Sequence, residues 1–315
     1  MDLSIPIIDI SCITKTSKQV QDTLDKSITS IAKSLLEAFK KYGFVYIKGH
    51  NIPQQLIKSI NGHSRDFFNL PEVDKHSHLY KHTKLNFCYI PSKCEVFDTS
   101  SEIDLKEVFD FIPTDDSKLR STLPKLFYEK LEETFILCKN LSIQLFDLLN
   151  LAFISKERSS LLKNYHSNIG DIDKNLSTLR CLSYPSLSED VKKGAGQYRC
   201  SEHSDYGSLT LLFQDDTGGL QVETENSCFI DVPPIKDTIV VNAADLLERW
   251  TDGEVKSARH RVIFVDNNKQ RQCIAFFCQP NNNVTVEPLT GCSSKYMPVN
   301  TLEYLNSKFN ITYRE

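Results

Sequence analysis

No Cys-x-x-Cys pair occurs among the ten cysteines of this chain, and its 315 residues far exceed what a disulfide-stapled miniature needs. The cysteines therefore read as free thiols. Cys138, Cys181, Cys273 and Cys278 fall within apolar periodic stretches and suit the role of small hydrophobes, and close-spaced thiolate pairs of the kind that hold structural zinc are missing. An excess of one charge is missing too. With 37 basic and 41 acidic residues the net charge is -4, and the lysines are dispersed between acids, so there is no basic footprint for nucleic acid. No apolar run approaches membrane-spanning length, and Met1-Asp2-Leu3-Ser4-Ile5 lacks the basic-then-apolar order of a secretory leader. Repeats, low-complexity tracts and a phosphate-cradling P-loop are absent as well. These absences predict a cytoplasmic monomer that binds neither membrane nor nucleic acid.

What is present is enough apolar material, 40% of residues, for one large core. Ile5 to Ile10 reads as a short strand. Val20 to Tyr42 carries a stripe of Leu24, Ile28, Ile31, Leu35 and Phe39 that predicts an amphipathic helix ending at Gly43. Phe44 to Ile47 returns to strand, and Pro124 to Leu149 repeats apolar residues at three and four, with Pro124 suited to a first turn. From about Ser177 the pattern becomes short strands: Leu209 to Gln214, a turn over Asp215 to Gly219 closing a hairpin with Leu220 to Val222, then Thr238 to Asn242 and Arg271 to Cys278. No crossover helices separate them, so the fold is mainly β with flanking α-helices. Residues 1–165 form a mostly helical region that packs on and completes the core, and residues 166–315 hold the strand-rich domain and a C-terminal helix.

The chemistry-bearing pattern is His203-Ser204-Asp205, then His260, then Arg271. Positions i and i+2 of an extended strand project from one face, so His203 and Asp205 can reach one ion together. His260 stands immediately before Arg261-Val262-Ile263-Phe264-Val265, which reads as a strand brought alongside by long-range pairing. Two imidazoles and a carboxylate can hold one face of an octahedral ion, suit Fe(II), and leave three positions open. A lone histidine is ordinarily a surface or hydrogen-bonded core residue, which is the reading for His50, His63, His76, His78, His82 and His166. His-x-Asp alone is equally weak; the conjunction of four placements is specific.

Glu202-His203-Ser204-Asp205-Tyr206-Gly207-Ser208-Leu209-Thr210-Leu211-Leu212, Gly218-Gly219-Leu220-Gln221-Val222, Asp245-Leu246-Leu247-Glu248-Arg249-Trp250-Thr251 and His260-Arg261-Val262 resemble the iron and 2-oxoglutarate-dependent dioxygenases of the isopenicillin-N-synthase-like class. Ile5-Pro6-Ile7-Ile8-Asp9-Ile10 and Tyr42-Gly43-Phe44-Val45-Tyr46-Ile47-Lys48-Gly49-His50 extend the resemblance over nearly the whole chain. It implies, together with the strand pattern, a double-stranded β-helix (jelly roll) core. It implies that His203, Asp205 and His260 ligate Fe(II) and that Arg271 pairs with the distal carboxylate of 2-oxoglutarate, a role suited to a planar, permanently charged fork. The family usually places a serine two positions after this arginine; here Cys273 stands there, and a thiol is a poor donor. Tyr184, in Leu182-Ser183-Tyr184-Pro185, matches a tyrosine that touches the acid end of the co-substrate, although a core aromatic reads equally well.

The implied reaction consumes O2 and 2-oxoglutarate, releases succinate and CO2, and hydroxylates or otherwise oxidises a small organic molecule, with ascorbate as reductant. Some relatives close rings without 2-oxoglutarate and use the arginine on the substrate's own carboxylate. Two readings from other classes stay open: a zinc-dependent hydrolase on the same ligands, and a catalytically impaired binding protein of the same fold. Gly218 and Gly219 suit a turn needing positive φ, Trp250 suits core or pocket wall, and Tyr206 and Gly207 stand next to the metal carboxylate. Phe276, Phe277 and the segment from Lys84 to Phe97 are candidates for the substrate cavity.

Overall fold

Alternation at period two decides the architecture, because nearly every strand of the main sheet is apolar on both faces and must be covered on both. The structure is a computed structural model and describes residues 4–13, 21–77, 79–82, 85–92, 94–95, 104–114, 123–153, 160–186, 198–265, 269–289 and 295–313. Up to residue 165 the elements are β1 (Ile7–Asp9), α1 (Gln21–Tyr42), β2 (Phe44–Lys48), α2 (Gln54–Phe68), α3 (Glu72–His76), β3 (Leu79–His82), β4 (Leu85–Ile90), β5 (Glu107–Phe111), α4 (Lys125–Phe153) and α5 (Leu161–Tyr165). Beyond it come β6 (Thr178–Tyr184), β7 (Cys200–His203), β8 (Leu209–Gln214), β9 (Leu220–Glu223), β10 (Phe229–Asp231) and β11 (Thr238–Ala243). They are followed by α6 (Asp245–Trp250), β12 (His260–Val262), β13 (Arg271–Cys278), β14 (Thr285–Val286), β15 (Val299–Asn300) and α7 (Thr301–Thr312).

A nine-stranded sheet, ordered β1-β2-β11-β8-β13-β6-β5-β4-β3, faces a four-stranded sheet ordered β10-β9-β12-β7. The facing sheets make the double-stranded β-helix. Every described pairing in these two sheets is antiparallel except β1 against β2. On the outer face of the large sheet Ile274, Phe276 and Cys278 of β13, Leu179 and Cys181 of β6, and Leu209 and Leu211 of β8 pack beneath α1, α2 and α4. Each such fully buried side chain stabilises the fold by roughly 1.5–3 kcal/mol relative to exposure. The alternate residues face the small sheet: Cys273 and Ala275 of β13, Leu182 and Tyr184 of β6, and Val240 of β11 join Cys200, Leu220, Val222 and Val262.

The helices follow their stripes. α1 buries Ala32, Leu35, Leu36 and Phe39, and Gly43 closes it at φ 68° with its N–H on the Phe39 carbonyl at 3.0 Å. α4 begins just after Pro124 and buries Phe127, Leu131, Phe135, Cys138, Leu141, Leu145 and Leu148. Contrary to the sequence expectation, this 29-residue helix is long and apolar enough to cross a membrane by length and composition; here half of its apolar window is buried in the protein.

Three further expectations need correcting. The turn over residues 215–219 does not close a hairpin, because β8 pairs with β11 and β13 while β9 pairs with β10 and β12 in the other sheet. The chain crosses the sandwich there, with Gly218 at φ 76° and Gly219 at φ 92°. His260 is the first residue of β12 rather than its predecessor, and the strand stops at Val262, with Val265 64% exposed. Asp205 lies beyond the end of β7 rather than within a strand.

Candidate metal centre

His203 and His260 are direct cross-strand partners in the β7–β12 pair, which explains how residues so far apart in sequence meet. Their rings lie 4.3 Å apart between centroids, and Asp205 Oδ1 stands 3.8 Å from Nε2 of each. The three ligand atoms lie within 4.8 Å of one another, and the group is the only one of its kind among the described residues. Their hydrogen bonds fit a divalent ion. Nδ1–H of His203 donates to the Ser201 carbonyl at 2.8 Å and that of His260 to the Ala258 carbonyl at 3.2 Å, which turns both unprotonated Nε2 atoms towards Asp205. Asp205 Oδ2 accepts from Thr210 Oγ1 at 2.6 Å and from Asn242 Nδ2 at 2.7 Å, leaving Oδ1 to face the imidazoles.

The charge states agree with this arrangement. Burial and the neighbouring His260 push His203 down to about 4, so it is neutral at physiological pH. Burial works to raise the Asp205 carboxyl, but the two imidazoles and the Thr210 and Asn242 hydrogen bonds hold it below the usual carboxylate range.

An inner cavity of about 70 Å³ leads from this point to Arg271. Arg271 is 1% exposed and donates from Nε to the Gly218 carbonyl at 2.9 Å and from Nη1 to Cys273 Sγ at 3.3 Å. Tyr184 is its register partner on β6, and the guanidinium lies 5.0 Å over the Tyr184 ring. Asp215 is near enough to favour the Arg271 charge, but among the described residues no carboxylate pairs with it directly, so a buried positive charge faces a cavity that also ends on His203, Asp205 and His260. That combination asks for an anion that also reaches a metal.

Residues 174–280 match the family model of the 2OG-Fe(II) oxygenase superfamily, and residues 5–129 that of the non-haem dioxygenase in morphine synthesis N-terminal region. The chain is 30% identical to the 2-oxoglutarate-dependent dioxygenase gloF of Glarea lozoyensis, over 89% of this chain and 92% of that protein. The chain belongs to the iron(II)- and 2-oxoglutarate-dependent dioxygenases, in the isopenicillin-N-synthase-like class. The soybean (Glycine max) homoarginine-6-hydroxylase 2-ODD-C23 is 30% identical to this dioxygenase over 91% of the chain and 88% of its own length. The crystal structure of a full-length Neurospora crassa protein in complex with alpha-KG and thymine superposes with a TM-score of 0.82 at 30% identity, covering 97% of this chain and 96% of that one.

On the other side of His203 and Asp205 this dioxygenase has an outer cavity of about 90 Å³, which shares those two residues, Arg180 and Phe277 with the inner one. Phe277 faces it while Phe276 points away into the helix-side core, so only one of these two expected residues lines it. Of the segment 84–97, Glu95 lines this cavity; Lys84, Lys93, Val96 and Phe97 lie outside the described residues. Tyr206 lines it too, while Trp250 is core, stacked 5.6 Å from Tyr165. His166 is also structural, its Nδ1–H on the Leu162 carbonyl at 2.6 Å and its Nε2 accepting from Ser208 Oγ at 2.7 Å.

Sequence reasoning missed Thr210, Asn242, Arg180 and Asp110. A signal existed for all four: each is a polar residue inside a largely apolar strand, on the parity that faces the small sheet.

Proposed function

We propose that His203, Asp205 and His260 hold Fe(II) through the two Nε2 atoms and Oδ1, and that Arg271 seats the distal carboxylate of 2-oxoglutarate in the inner cavity. The enzyme then hydroxylates, or otherwise oxidises, a small organic molecule in the outer cavity, consuming O2 and releasing succinate and CO2. The observation that supports this best is the buried Arg271, without a carboxylate partner among the described residues, at the far end of the cavity that begins at the three ligand atoms. Iron, when bound, supplies the redox step. The protein's own groups position and exclude. The backbone carbonyls of Ser201 and Ala258 fix the imidazole tautomers, Thr210 and Asn242 restrict Asp205 to one oxygen, and Arg271 sets the depth of the co-substrate.

A zinc hydrolase on the same ligands finds no support in the comparisons and leaves Arg271 without a task. The impaired binding protein is disfavoured by the intact, correctly hydrogen-bonded ligand set. Among the relatives, one is named for homoarginine, an amino acid, and the Neurospora structure holds thymine, a nucleobase. Both are small organic molecules, the class proposed for the substrate of this enzyme.

The test is anaerobic reconstitution with Fe(II) and 2-oxoglutarate, followed by the weak visible charge-transfer band, and then aerobic succinate release with ascorbate present. The band is expected. Iron demonstrably bound with no band on adding 2-oxoglutarate refutes the co-substrate assignment. Arg271→Gln removes a charge-assisted hydrogen bond worth about 2 kcal/mol, so the KM for 2-oxoglutarate should rise on the order of 30-fold. Cys273→Ser restores a hydroxyl donor and should lower that KM several-fold; an unchanged KM would mean that Cys273 does not meet the co-substrate.

A further inference from the structure

His203 and His260 stand opposite each other because β7 carries one residue more than its partner. His260 pairs with His203 and Val262 with Cys200, so Ser201 and Glu202 together oppose the single Arg261. That is a β-bulge, which leaves part of the ladder unpaired, bends its strand and re-aims the side chains beyond it. β7 is four residues long and outermost in the small sheet, with β12 on one side and, among the described residues, no strand on the other. The ladder alone therefore does little to fix the bulge that aims His203.

A side chain from far away in sequence supplies the hold. Asp104, just before β5, is buried, and its Oδ1 accepts from the Ser201 N–H at 2.9 Å and from the Ser201 hydroxyl at 2.7 Å, across 97 residues of chain. The Ser201 carbonyl is the group that accepts from His203 Nδ1 at 2.8 Å. Amide, hydroxyl and carbonyl of the bulged residue are thus all engaged, two by Asp104 and one by an imidazole of the metal centre. Asp104 is itself seated: its Oδ2 accepts from Lys106 Nζ at 2.7 Å. Lys106, also buried, stands 3.2 Å from Glu95 Oε2 and 3.5 Å from the sulfur of Cys200, the residue before the bulge.

For packing alone this arrangement would be a poor choice, because apolar groups of similar volume are often as stable as a buried ion pair or more so. A carboxylate can do what an apolar side chain cannot: accept two hydrogen bonds at one point and so select one backbone conformation. From this geometry we infer that Asp104, seated on Lys106, is a positioning residue of the metal centre, which locks the β7 bulge at Ser201 and thereby sets the direction of the His203 imidazole. Asp104 touches neither metal nor substrate; it acts through Ser201. Without it the bulge is free to move along β7 or straighten, and a change of register by one residue turns His203 away from His260. The inference rests on the proposed function, because it takes His203 to be a ligand.

The test is Co(II) binding to the full-length apoprotein, read by calorimetry and by the ligand-field absorption of the bound ion, beside the melting temperature without metal. Asp104→Ala should weaken Co(II) affinity about 10–100-fold, the usual consequence of losing the support behind a ligand, and should alter the absorption because one imidazole has turned. Asp104→Asn keeps an oxygen for Ser201 and removes the charge. It should bring affinity back to within about 3-fold of wild type, with the wild-type spectrum, while its melting temperature stays low because Lys106 has lost an ionic partner in both variants. Wild-type affinity and spectrum in Asp104→Ala overturn the inference, since Asp104 is then structural only. Asp104→Asn as weak as Asp104→Ala overturns it too, since the effect is then one of charge. If either variant fails to fold, Ser201→Ala decides: it removes the hydroxyl half of the grip and should cost about 3–10-fold in affinity with a changed spectrum, and no change in either refutes the lock. Wild-type protein that takes up no Co(II) is the failure of the proposed function, and the inference falls with it.

Discussion

Asp205 has two oxygens, and the protein spends one of them on itself. With Oδ2 gripped by Thr210 and Asn242, only Oδ1 is left free, so in the proposed centre Asp205 would offer the ion a single oxygen. Removing such a support typically weakens metal affinity about 10–100-fold. Asn242→Ala should therefore show that loss for Co(II) in calorimetric titration of the apoprotein, while its melting temperature stays near wild type; unchanged affinity would place Asn242 outside the centre. His166 makes a different residue-scale prediction. Burial lowers its pKa to about 3, so the folded state stays neutral where the unfolded chain takes up a proton, and the stability this confers is full above pH 6.5 and lost as pH falls below it. Between pH 7 and pH 5 the loss is about 2 kcal/mol, and His166→Gln should flatten thermal stability over that interval. His203, Asp205, His260 and Arg271 could be picked out of the sequence because motif spacing identifies them. Asn242 and Arg180 could not, because a polar residue in an apolar strand looks the same until its partner is known, and Asp205 and Glu95 lie 37 and 85 residues away.

At the scale of elements, the strands of the large sheet were largely legible, since alternation and β-branched content fix them locally. The Arg271–Cys278 strand agrees at both ends. What the pattern does not contain is which sheet a strand joins. β8 and β9 look like the arms of a hairpin but belong to different sheets, and the crossing depends on Gly219. A Cβ there would lie 2.5 Å from the Ile263 carbonyl at a backbone φ of 92°, whereas at Gly218, φ 76°, the nearest atom is Pro234 Cδ at 3.6 Å. Gly219→Ala should accordingly destabilise by about 2–4 kcal/mol and Gly218→Ala by about 1 kcal/mol in urea unfolding. Equal effects would mean that close approach is not what fixes the glycine. α7 was expected only as a C-terminal helix; its contribution of Phe309 and Thr312 to the outer cavity, with Tyr313 just beyond it, became visible only with the fold.

For the whole molecule the decisive relation is that the proposed metal ligands sit on or beside the small sheet and Arg271 on the large one. In the proposed centre iron would tie β7 to β12, and 2-oxoglutarate held by Arg271 would tie the two sheets together. A ligand present at 100 times its Kd stabilises by about 2.7 kcal/mol, so Fe(II) with 2-oxoglutarate should raise the melting temperature by a few degrees beyond Fe(II) alone. EDTA should abolish both increments in anaerobic calorimetry. An increment from 2-oxoglutarate in the EDTA-treated protein as large as in the iron-loaded one would mean that the acid does not bridge.

The direct opposition of His203 and His260 has an evolutionary corollary. A slip of one residue between β7 and β12 would turn one imidazole to the opposite side of the sheet and dissolve the centre at once. The short turn after β7 is constrained as well, because it carries Asp205, whereas the turn between β9 and β10 carries no such constraint. Lineages descended from this scaffold can lengthen or shorten turns such as residues 224–228 while these two short strands and the Asp205 turn keep their alignment, and chimaeras built for new substrates should place their joints there.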